Sequence, residues 1–303
     1  MEPVKGELKM ESLMIPMDSI DSIHLKHICI DKEGPPIFML HGAVENGKIC
    51  YSDSGRAGLG PYLARYGYDV YVGDLRGRGQ STPHVNANSK YGQTEAITED
   101  IPAFIEKIIS LRGNVPQRFV CHSWGGVLTS STLVRFPKYR ELVKSIVYLG
   151  AKRRICVFNM DRLFQINHVY CRLGRELVKK HGYFPSTKLG LGDDESAGIR
   201  HGTDAWIWSL KWVDTTDGFD YGEAAKKVHL PPTLYMAAID DPCLGHHKDV
   251  WNFMMESGDH VKDFMVLSKK NGNLHDYNHV SMMTHKDAPL DHFPKVLEWL
   301  TKY

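Results

Sequence analysis

Short apolar runs alternate with amphipathic stretches along most of the chain. Several runs, such as PPIFMLHG and SIVYLG, are apolar at nearly every position. Runs of this kind are typical of parallel strands that are buried on both faces of a sheet. The pattern leaves an antiparallel pairing open at the N-terminal edge. The predicted strands are His24–Ile30, Ile37–Leu40, Asp69–Val72, Phe119–Cys121, Ser145–Leu149, Thr233–Ala238 and Asp263–Leu267.

Helical periodicity is found between these strands. Ile101–Leu111 carries Pro102 in its first turn and is followed by Gly113, which is typical of a helix with defined ends. Gly125–Phe136 ends before a proline, and Phe293–Tyr303 has apolar residues at helical spacing. The alternation of strands and helices predicts an α/β fold with a mostly parallel central sheet flanked by helices.

One long stretch interrupts this alternation. From Arg153 to Leu230 there is no clear buried strand; the stretch holds helix-like runs, such as Asp161–Lys180, and a loop rich in glycine and acidic residues. It is too long for a plain connection, so we expect it to fold on itself as a mainly helical cap. The predicted organisation is a core formed by residues 1–152 and 231–303, with the cap over residues 153–230.

The aromatic residues of the predicted cap allow two interpretations. Trp206, Trp208 and Trp212 either pack the interior of the cap or form an apolar wall over a pocket. On the second interpretation, Trp206, Trp208 and Phe158 contact an apolar substrate.

The composition narrows the classes of function. Among 303 residues, 37 basic and 36 acidic side chains give a net charge of +1. Nucleic-acid binding needs a basic face, so we expect no nucleic-acid partner. No apolar run approaches the roughly 18 residues of a membrane-spanning helix, and the first residues lack the apolar run of a signal peptide. We therefore expect no membrane span.

The cysteines and histidines show no metal-binding motif. Six cysteines are scattered without CxxC spacing, and the 16 histidines include no HExxH pattern. We expect no metal site. Without a secretory signal, reduced thiols in a cytoplasmic protein are the expected state. A homodimer is retained as one assembly that the sequence permits.

The strongest chemical signal lies in RFVCHSWGG, residues 118–126. A predicted strand leads directly into Ser123, and a predicted helix follows it. This nearly matches the G-x-S-x-G nucleophile elbow, a sharp turn that lifts the serine Oγ above a sheet. Gly125 supplies the small residue after the serine, whereas Cys121 stands in place of the earlier glycine. We interpret His122, whose side chain should point away from Ser123, as a packing residue.

A second motif, MLHGAVENG, follows a predicted buried strand. Its His-Gly pair lets the backbone turn toward Ser123. The backbone N–H groups of Ala43 and Trp124 are then candidates for an oxyanion hole, which stabilises the negative oxygen of a tetrahedral intermediate.

Three motifs occur in the order seen in α/β-hydrolases: HGA, YDVYVGDLRGRGQS and CHSWGG. The chain resembles the serine esterase and lipase branch of that superfamily. Gly67–Ser81 matches the pattern G-Y-x-V-x-x-x-D-x-R-G-x-G-x-S, and YNHVSMMTHKDAP is similar to the histidine segment of lipases. The resemblance covers most of the chain outside the cap. It implies a triad in the order serine, acid, histidine, with no metal or organic cofactor.

The resemblance also implies where the other two members of the triad lie. Asp241 matches the acid after the strand TLYMAA, but Ala238 occupies the position of the usual glycine, so Asp240 remains the alternative. His279 matches the base after the last strand. The competing histidines are His275, His285 and His292, of which the first two are interpreted as surface residues.

These residues predict acyl transfer to water. His279 takes the proton of Ser123, and Asp241 fixes the imidazole tautomer. The cap favours a small-molecule apolar acyl ester as substrate, hence a carboxylesterase or lipase-like activity. A thioesterase, an acyltransferase or a C–C bond hydrolase would use the same triad. Cys121 and Ala238 keep a non-catalytic ligand-binding protein open as a further alternative.

Overall fold

The computed structural model describes residues 2–18 and 20–303; Met1 and Ser19, in the predicted first core segment, lie outside the described residues. The strands are β1 (Lys9–Pro16), β2 (Ser22–Cys29), β3 (Pro36–Leu40), β4 (Asp69–Asp74), β5 (Gln117–His122), β6 (Val143–Leu149), β7 (Tyr183–Phe184), β8 (Glu195–Ser196), β9 (Thr233–Ala238) and β10 (Lys262–Leu267).

Eight of these strands form one sheet in the order β1-β2-β4-β3-β5-β6-β9-β10. From β4 to β10 all neighbours pair in parallel, whereas β2 pairs antiparallel with both β1 and β4. Every residue of β3, β4, β5 and β9 is buried. The seven strands predicted from apolar runs are confirmed. Continuous apolar runs suit the four strands that are buried throughout, whereas β10 is an edge strand with mostly half-buried side chains.

Helices cover the two faces of the sheet. They are α1 (Leu59–Arg65), α2 (Gln93–Glu95), α3 (Ile101–Arg112), α4 (Trp124–Arg135), α5 (Pro137–Leu142), α6 (Gly174–His181), α7 (Ala197–Trp208), α8 (Tyr221–Ala225), α9 (His247–Glu256), α10 (Ser281–Thr284) and α11 (Phe293–Lys302), with π-helical segments at Ala96–Asp100 and Arg162–Leu173 and 3₁₀ turns at Gly47–Ile49, Ser186–Leu189, Lys269–Asn271 and Ala288–Leu290. Of the helices in the described part of the chain, none has the length and apolar character that a membrane crossing requires.

The strands send alternate side chains into two hydrophobic cores, as the pleat of a sheet dictates. In β5, Phe119 and Cys121 pack into the core that α3 and α4 cover. Val120, between them, packs into the opposite core with α1 and α11. Ser123 therefore follows a strand whose side chains are packed on both faces, so its position is well fixed.

Residues 153–230 lie between β6 and β9 and are mainly helical, as expected. They contain the π-helical segment Arg162–Leu173, α6, α7 and α8, and the short antiparallel ribbon of β7 and β8. The pattern missed this ribbon, because two-residue strands leave no periodicity to detect. Residues 153–230 are called the cap, with the boundaries that the sequence predicts.

Candidate active site

Ser123 lies in a sharp turn between β5 and α4. Its backbone has φ +50° and ψ −124°, a conformation that is uncommon for a residue with a side chain. The Ser123 N–H donates to the Leu149 carbonyl oxygen at 2.8 Å and so ties the turn to β6. A Cβ on Gly125 would lie 2.3 Å from the His41 carbonyl oxygen, so only glycine fits there. This geometry is that of a nucleophile elbow.

Cys121 occupies the position where the elbow pattern has glycine. Its side chain is fully buried, and its Sγ lies 3.3 Å from Thr129 Oγ1 on α4. The thiol therefore has space and a polar neighbour within the core. The departure from glycine leaves the turn at Ser123 intact.

Ser123, His279 and Asp241 form a continuous hydrogen-bonded series. His279 Nε2 lies 2.9 Å from Ser123 Oγ, and His279 Nδ1 lies 2.6 Å from Asp241 Oδ2. The other carboxylate oxygen of Asp241 accepts from the Leu244 N–H at 2.8 Å. Asp240 is exposed, and its backbone N–H donates to the Tyr277 carbonyl oxygen. The structure thus brings Asp241, and not Asp240, to the imidazole.

The protonation states of this series follow from burial and proximity. Burial raises the pKa of Asp241, but the facing His279 outweighs it and brings the pKa to about 2. Burial lowers the pKa of His279, while Asp241 opposes that change. At neutral pH, Asp241 is ionised and accepts the Nδ1 proton. Nε2 of His279 is then free to accept the proton of Ser123.

The three competing histidines have other partners. His275 Nε2 lies 2.8 Å from Asp287 Oδ2, and the His285 ring packs beside that of His275. Both are partly exposed, as expected. His292 is fully buried, and its Nε2 donates to the Met282 carbonyl oxygen at 2.7 Å.

The segment after β3 approaches Ser123 closely. A Cβ on Gly42 would lie 2.7 Å from Ser123 Cβ, so this backbone fits only without a side chain at that point. Ala43 lines the same cavity as Ser123, and so does Trp124. Trp124 is the first residue of α4, and its N–H has no partner within the helix. The two backbones proposed for an oxyanion hole therefore flank Ser123.

Glu45 and His122 join this segment to the base. The Gly42 N–H and His122 Nδ1 both donate to Glu45 Oε2, at 2.8 and 2.7 Å. His122 Nε2 donates to the His279 carbonyl oxygen at 3.0 Å. Because both partners of the imidazole are acceptors, the ring carries two protons and a positive charge. Burial lowers the pKa of His122, but Glu45 outweighs it and the net pKa is raised.

Sequence reasoning missed the role of this pair. His122 was interpreted as packing, and it does point away from the Ser123 Oγ, yet it is hydrogen-bonded through both nitrogens. Glu45 lies within the motif MLHGAVENG, but the sequence pattern assigns it no role. The usable signal was a histidine directly before the nucleophile together with an acid two residues after Ala43, since a buried histidine needs a polar partner.

A cavity of about 730 Å³ is lined by Ser123, His279 and residues of the cap. Its size and mainly apolar wall are typical of small-molecule sites. The one cation that lines it, among the described residues, is Lys152. Its apolar wall includes Ile155, Phe164, Ile166, Val169, Tyr170 and Ile207.

Trp206, Trp208 and Phe158, which the sequence suggested as substrate contacts, do not line this cavity. Trp206 is 1% exposed and packs between Trp124 and Trp212. Trp208 stacks under the Arg162 guanidinium, and Phe158 is 75% exposed. Trp206 and Trp212 therefore fill the cap interior, whereas Trp208 is exposed. Much of the apolar wall comes instead from the π-helical segment Arg162–Leu173.

Two clusters in the described part of the chain have metal-ligating side chains close together. The first cluster is His27, Cys29 and Asp69, and the second is His275, His285 and Asp287. In the first, His27 Nε2 is hydrogen-bonded to Asp69, and in the second, His275 Nε2 is hydrogen-bonded to Asp287. Neither includes a residue that lines the cavity.

Comparison with known proteins agrees with the geometry. Residues 35–169 match the model of a family described as alpha/beta hydrolase fold. Triacylglycerol lipase 1 of Arabidopsis thaliana is 27% identical over 124 residues, which are 39% of this chain and 31% of that protein. Lysosomal acid lipase/cholesteryl ester hydrolase of Homo sapiens is 26% identical over 137 residues, 43% of this chain and 34% of that protein. The chain thus matches about a third of the length of these relatives.

The solved structure of a soluble variant of monoglyceride lipase from Saccharomyces cerevisiae, in complex with a substrate analog, superposes on nearly the whole chain. The TM-score is 0.70, and the match covers 99% of this chain and 98% of that one. Because the sequences are only 16% identical, this similarity concerns the fold.

Proposed function

We propose that this chain, a member of the α/β-hydrolase superfamily, is a serine hydrolase that cleaves carboxylic esters through an acyl-enzyme. The observation that carries the proposal is the series Ser123–His279–Asp241, with distances of 2.9 and 2.6 Å, on the wall of an apolar cavity. A nucleophile, a base and an orienting acid in this geometry are the parts that acyl transfer requires.

In the first half of the reaction, Ser123 Oγ attacks the ester carbonyl carbon while His279 Nε2 takes the hydroxyl proton. The carbonyl oxygen becomes negative and accepts hydrogen bonds from the Ala43 and Trp124 N–H groups. His279 then gives its proton to the alcohol oxygen as that C–O bond breaks. In the second half, water replaces the alcohol, and the same transfers release the acid and restore Ser123. Asp241 stabilises the imidazolium in both halves.

The substrate class rests on the cavity and on the relatives. An apolar wall favours an apolar acyl or alcohol group, because binding removes the apolar surface of that group from water. Proteins named as a triacylglycerol lipase and a cholesteryl ester hydrolase are among the relatives, which supports an ester as the bond cleaved. Ester cleavage is therefore favoured over the thioesterase, acyltransferase and C–C hydrolase alternatives.

We further propose a reducing compartment, the cytoplasm, as the location. All six cysteines are free, and five of them are buried. The homodimer remains a prediction that light scattering on the purified protein would test.

The test of the proposed function is a set of variants on 4-nitrophenyl esters of increasing chain length. Ser123→Ala and His279→Ala should each lower kcat by about 10⁴-fold or more, because nucleophile and base act as a unit. Asp241→Asn should lose about 10³- to 10⁴-fold, since the imidazole loses its fixed tautomer. The matched control is Asp240→Asn, whose side chain is exposed and should change kcat little.

A fluorophosphonate probe gives an independent readout, because it labels only an activated serine. The wild type should be labelled at Ser123, and Ser123→Ala should not. Turnover that survives in Ser123→Ala, or a wild type that the probe leaves unlabelled, would refute the proposal. Labelling without ester turnover would favour the acyltransferase or C–C hydrolase alternatives.

A further inference from the structure

Lys152 brings a positive charge to the wall of the catalytic cavity. It follows β6 by three residues and lines the same cavity as Ser123 and His279. The residue is only 7% exposed. Its Nζ lies 5.7 Å from the centroid of the Trp124 ring, on the residue that directly follows Ser123. The ammonium group is therefore close to where an ester would react.

This ammonium group has no anionic partner. In the part of the chain that the structure describes, Lys152 Nζ makes no hydrogen bond and has no carboxylate oxygen within ion-pair distance. Asp241 and Asp249 influence it only at longer range. Asp241 binds His279, and Asp249 accepts from the Cys156 N–H at 2.9 Å. Asp241 is thus held by His279. Asp249 is held through one carboxylate oxygen, while its Oδ2 is buried without a hydrogen-bond partner among the described residues and is not within ion-pair distance of Lys152.

The two acids that line the cavity within the described chain, Glu45 and Asp193, are also occupied. Glu45 binds His122 and the Gly42 N–H. Asp193 binds Asn46 Nδ2 at 3.0 Å and the Gly79 N–H at 2.7 Å. An unpaired ammonium among apolar side chains loses much of its hydration without gaining a partner. Burial accordingly lowers the pKa of Lys152, and Asp241 opposes this only in part.

We propose that Lys152 binds an anionic oxygen group of the substrate, so that the enzyme acts on esters that combine an apolar part with one carboxylate-like charge. The inference rests on the proposed function and names its substrate class. A lysine ammonium on a flexible stem is well suited to a carboxylate or phosphate oxygen. Ester cleavage at Ser123 then occurs with the anionic end held at Lys152 and the apolar part against the cap.

The experiment compares two matched pairs of esters, so that the charge is placed on either side of the scissile bond. Mono-4-nitrophenyl adipate carries its carboxylate on the acyl side of the scissile bond, and its methyl ester is the neutral partner. The 3-butyryloxybenzoate anion carries its carboxylate on the alcohol side, and its methyl ester is again the neutral partner. The measured quantity is the ratio of kcat/KM for the anionic ester to kcat/KM for its neutral partner. Taking this ratio cancels any general effect of a variant on the triad.

In at least one pair, the wild type should prefer the anionic ester. Lys152→Met should lower the ratio by about 10- to 100-fold, the factor that one hydrogen bond to a charged group carries. Lys152→Arg should retain most of the ratio, since it keeps the charge. The matched control is Lys144→Met on β6, an exposed lysine outside the cavity, which should leave the ratio unchanged.

Two results would overturn the assignment of Lys152 while leaving the serine hydrolase proposal intact. One is a ratio that is the same in Lys152→Met and in the wild type for both pairs. The other is a wild type that prefers the neutral ester in both pairs, a result that needs no folded variant. A wild type that cleaves none of the four esters and is not labelled at Ser123 would overturn both proposals.

Discussion

His122 connects two segments whose relative position matters for the proposed acyl transfer. Through Glu45 Oε2 it reaches the Gly42 N–H, next to the proposed oxyanion donor Ala43. Through its Nε2 it holds the backbone of the base His279. A single charged side chain thus connects residues 42–45, here named the oxyanion segment after the proposed role of Ala43, to the imidazole of His279. His122 is a positioning residue, because it touches neither the substrate nor the reacting atoms.

The charge on His122 should be visible in the pH dependence of activity. Its ring centroid lies 4.6 Å from that of His279, and this positive charge helps to lower the pKa of the base. In His122→Gln, the pKa of His279 should therefore rise, and the acid limb of the kcat/KM profile should move to higher pH. His275→Gln, a histidine that does not line the cavity, is the control. A limb that stays in place or moves to lower pH would contradict the positive charge assigned to His122.

At the scale of elements, the β7–β8 ribbon of the cap forms hydrogen bonds with the oxyanion segment. Glu195 on β8 is fully buried and binds Arg78 at 2.7 Å and the Tyr170 hydroxyl at 3.0 Å. It also accepts from the Val44 N–H at 3.3 Å, while the Asp193 N–H donates to the Val44 carbonyl oxygen at 2.7 Å. Val44 has φ +51°, which is strained for a β-branched residue. The cap therefore holds a conformation next to Ala43 that this sequence would not adopt alone.

We expect Glu195→Gln to weaken the hydrogen bonds between the cap and the oxyanion segment. Loss of one partner of the buried Arg78–Glu195 pair should cost about 3 kcal/mol of unfolding free energy. Misplacement of the Ala43 N–H should lower kcat by about 10- to 100-fold with little change in KM, since an oxyanion hole acts mainly in the transition state. Urea unfolding and steady-state kinetics measure the two effects. The control is Asp194→Asn, whose carboxylate binds Thr187 rather than the oxyanion segment. Equal kinetics in both variants would show that the ribbon does not position the segment.

The elements differ in how far the sequence could predict them. Central strands such as β5 were predicted because burial on both faces leaves a continuous apolar run. β1 was missed although β10, the other edge strand, was predicted. β10 contains the continuous apolar run FMVL, whereas β1 has only the shorter run LMI among exposed and half-buried side chains. The resemblance pointed to Ser123, Asp241 and His279. It left Asp240 as an alternative acid, because Ala238 stands where the usual glycine would fix the register; the hydrogen bond from His279 is made to Asp241. The cavity wall was not predictable: tryptophans are equally suited to a cap interior, and only tertiary packing separates Trp206 from Tyr170.

At the scale of the whole molecule, the site is assembled from segments far apart in the chain. Arg153 is fully buried at the start of the cap and forms an ion pair with Glu256 on α9. It also donates to the carbonyl oxygens of Trp206 and Ser209, each at 3.0 Å. The interior of the cap is thereby tied to a core helix. Stability and site geometry are coupled, because the same buried charges that position the loops also hold the fold together.

The stability of the molecule should therefore depend on pH through the Glu45–His122 pair. The pKa of Glu45 is raised by burial but brought from 4.5 to about 2 by His122, so its contribution is complete above pH 4.5 and is lost as the pH falls toward 2. The folded pKa of His122 lies above 6.5, so its contribution is complete below pH 6.5 and is lost as the pH rises through that folded value. The pair is at full strength between pH 4.5 and 6.5.

Urea unfolding of the wild type and of the double variant Glu45→Gln/His122→Gln, at several values of pH, isolates this contribution from other titrating groups. The wild type minus the variant should give a difference in unfolding free energy that is most favourable to the wild type between pH 4.5 and 6.5. The difference should decline on both sides of that window. The two glutamines of the variant carry no charge and so avoid the desolvation cost of a buried ion pair. This changes the free-energy difference by the same amount at every pH, so the shape of its pH dependence is kept. A difference that is flat across the acid side would show that Glu45 is not ionised against His122 in the fold.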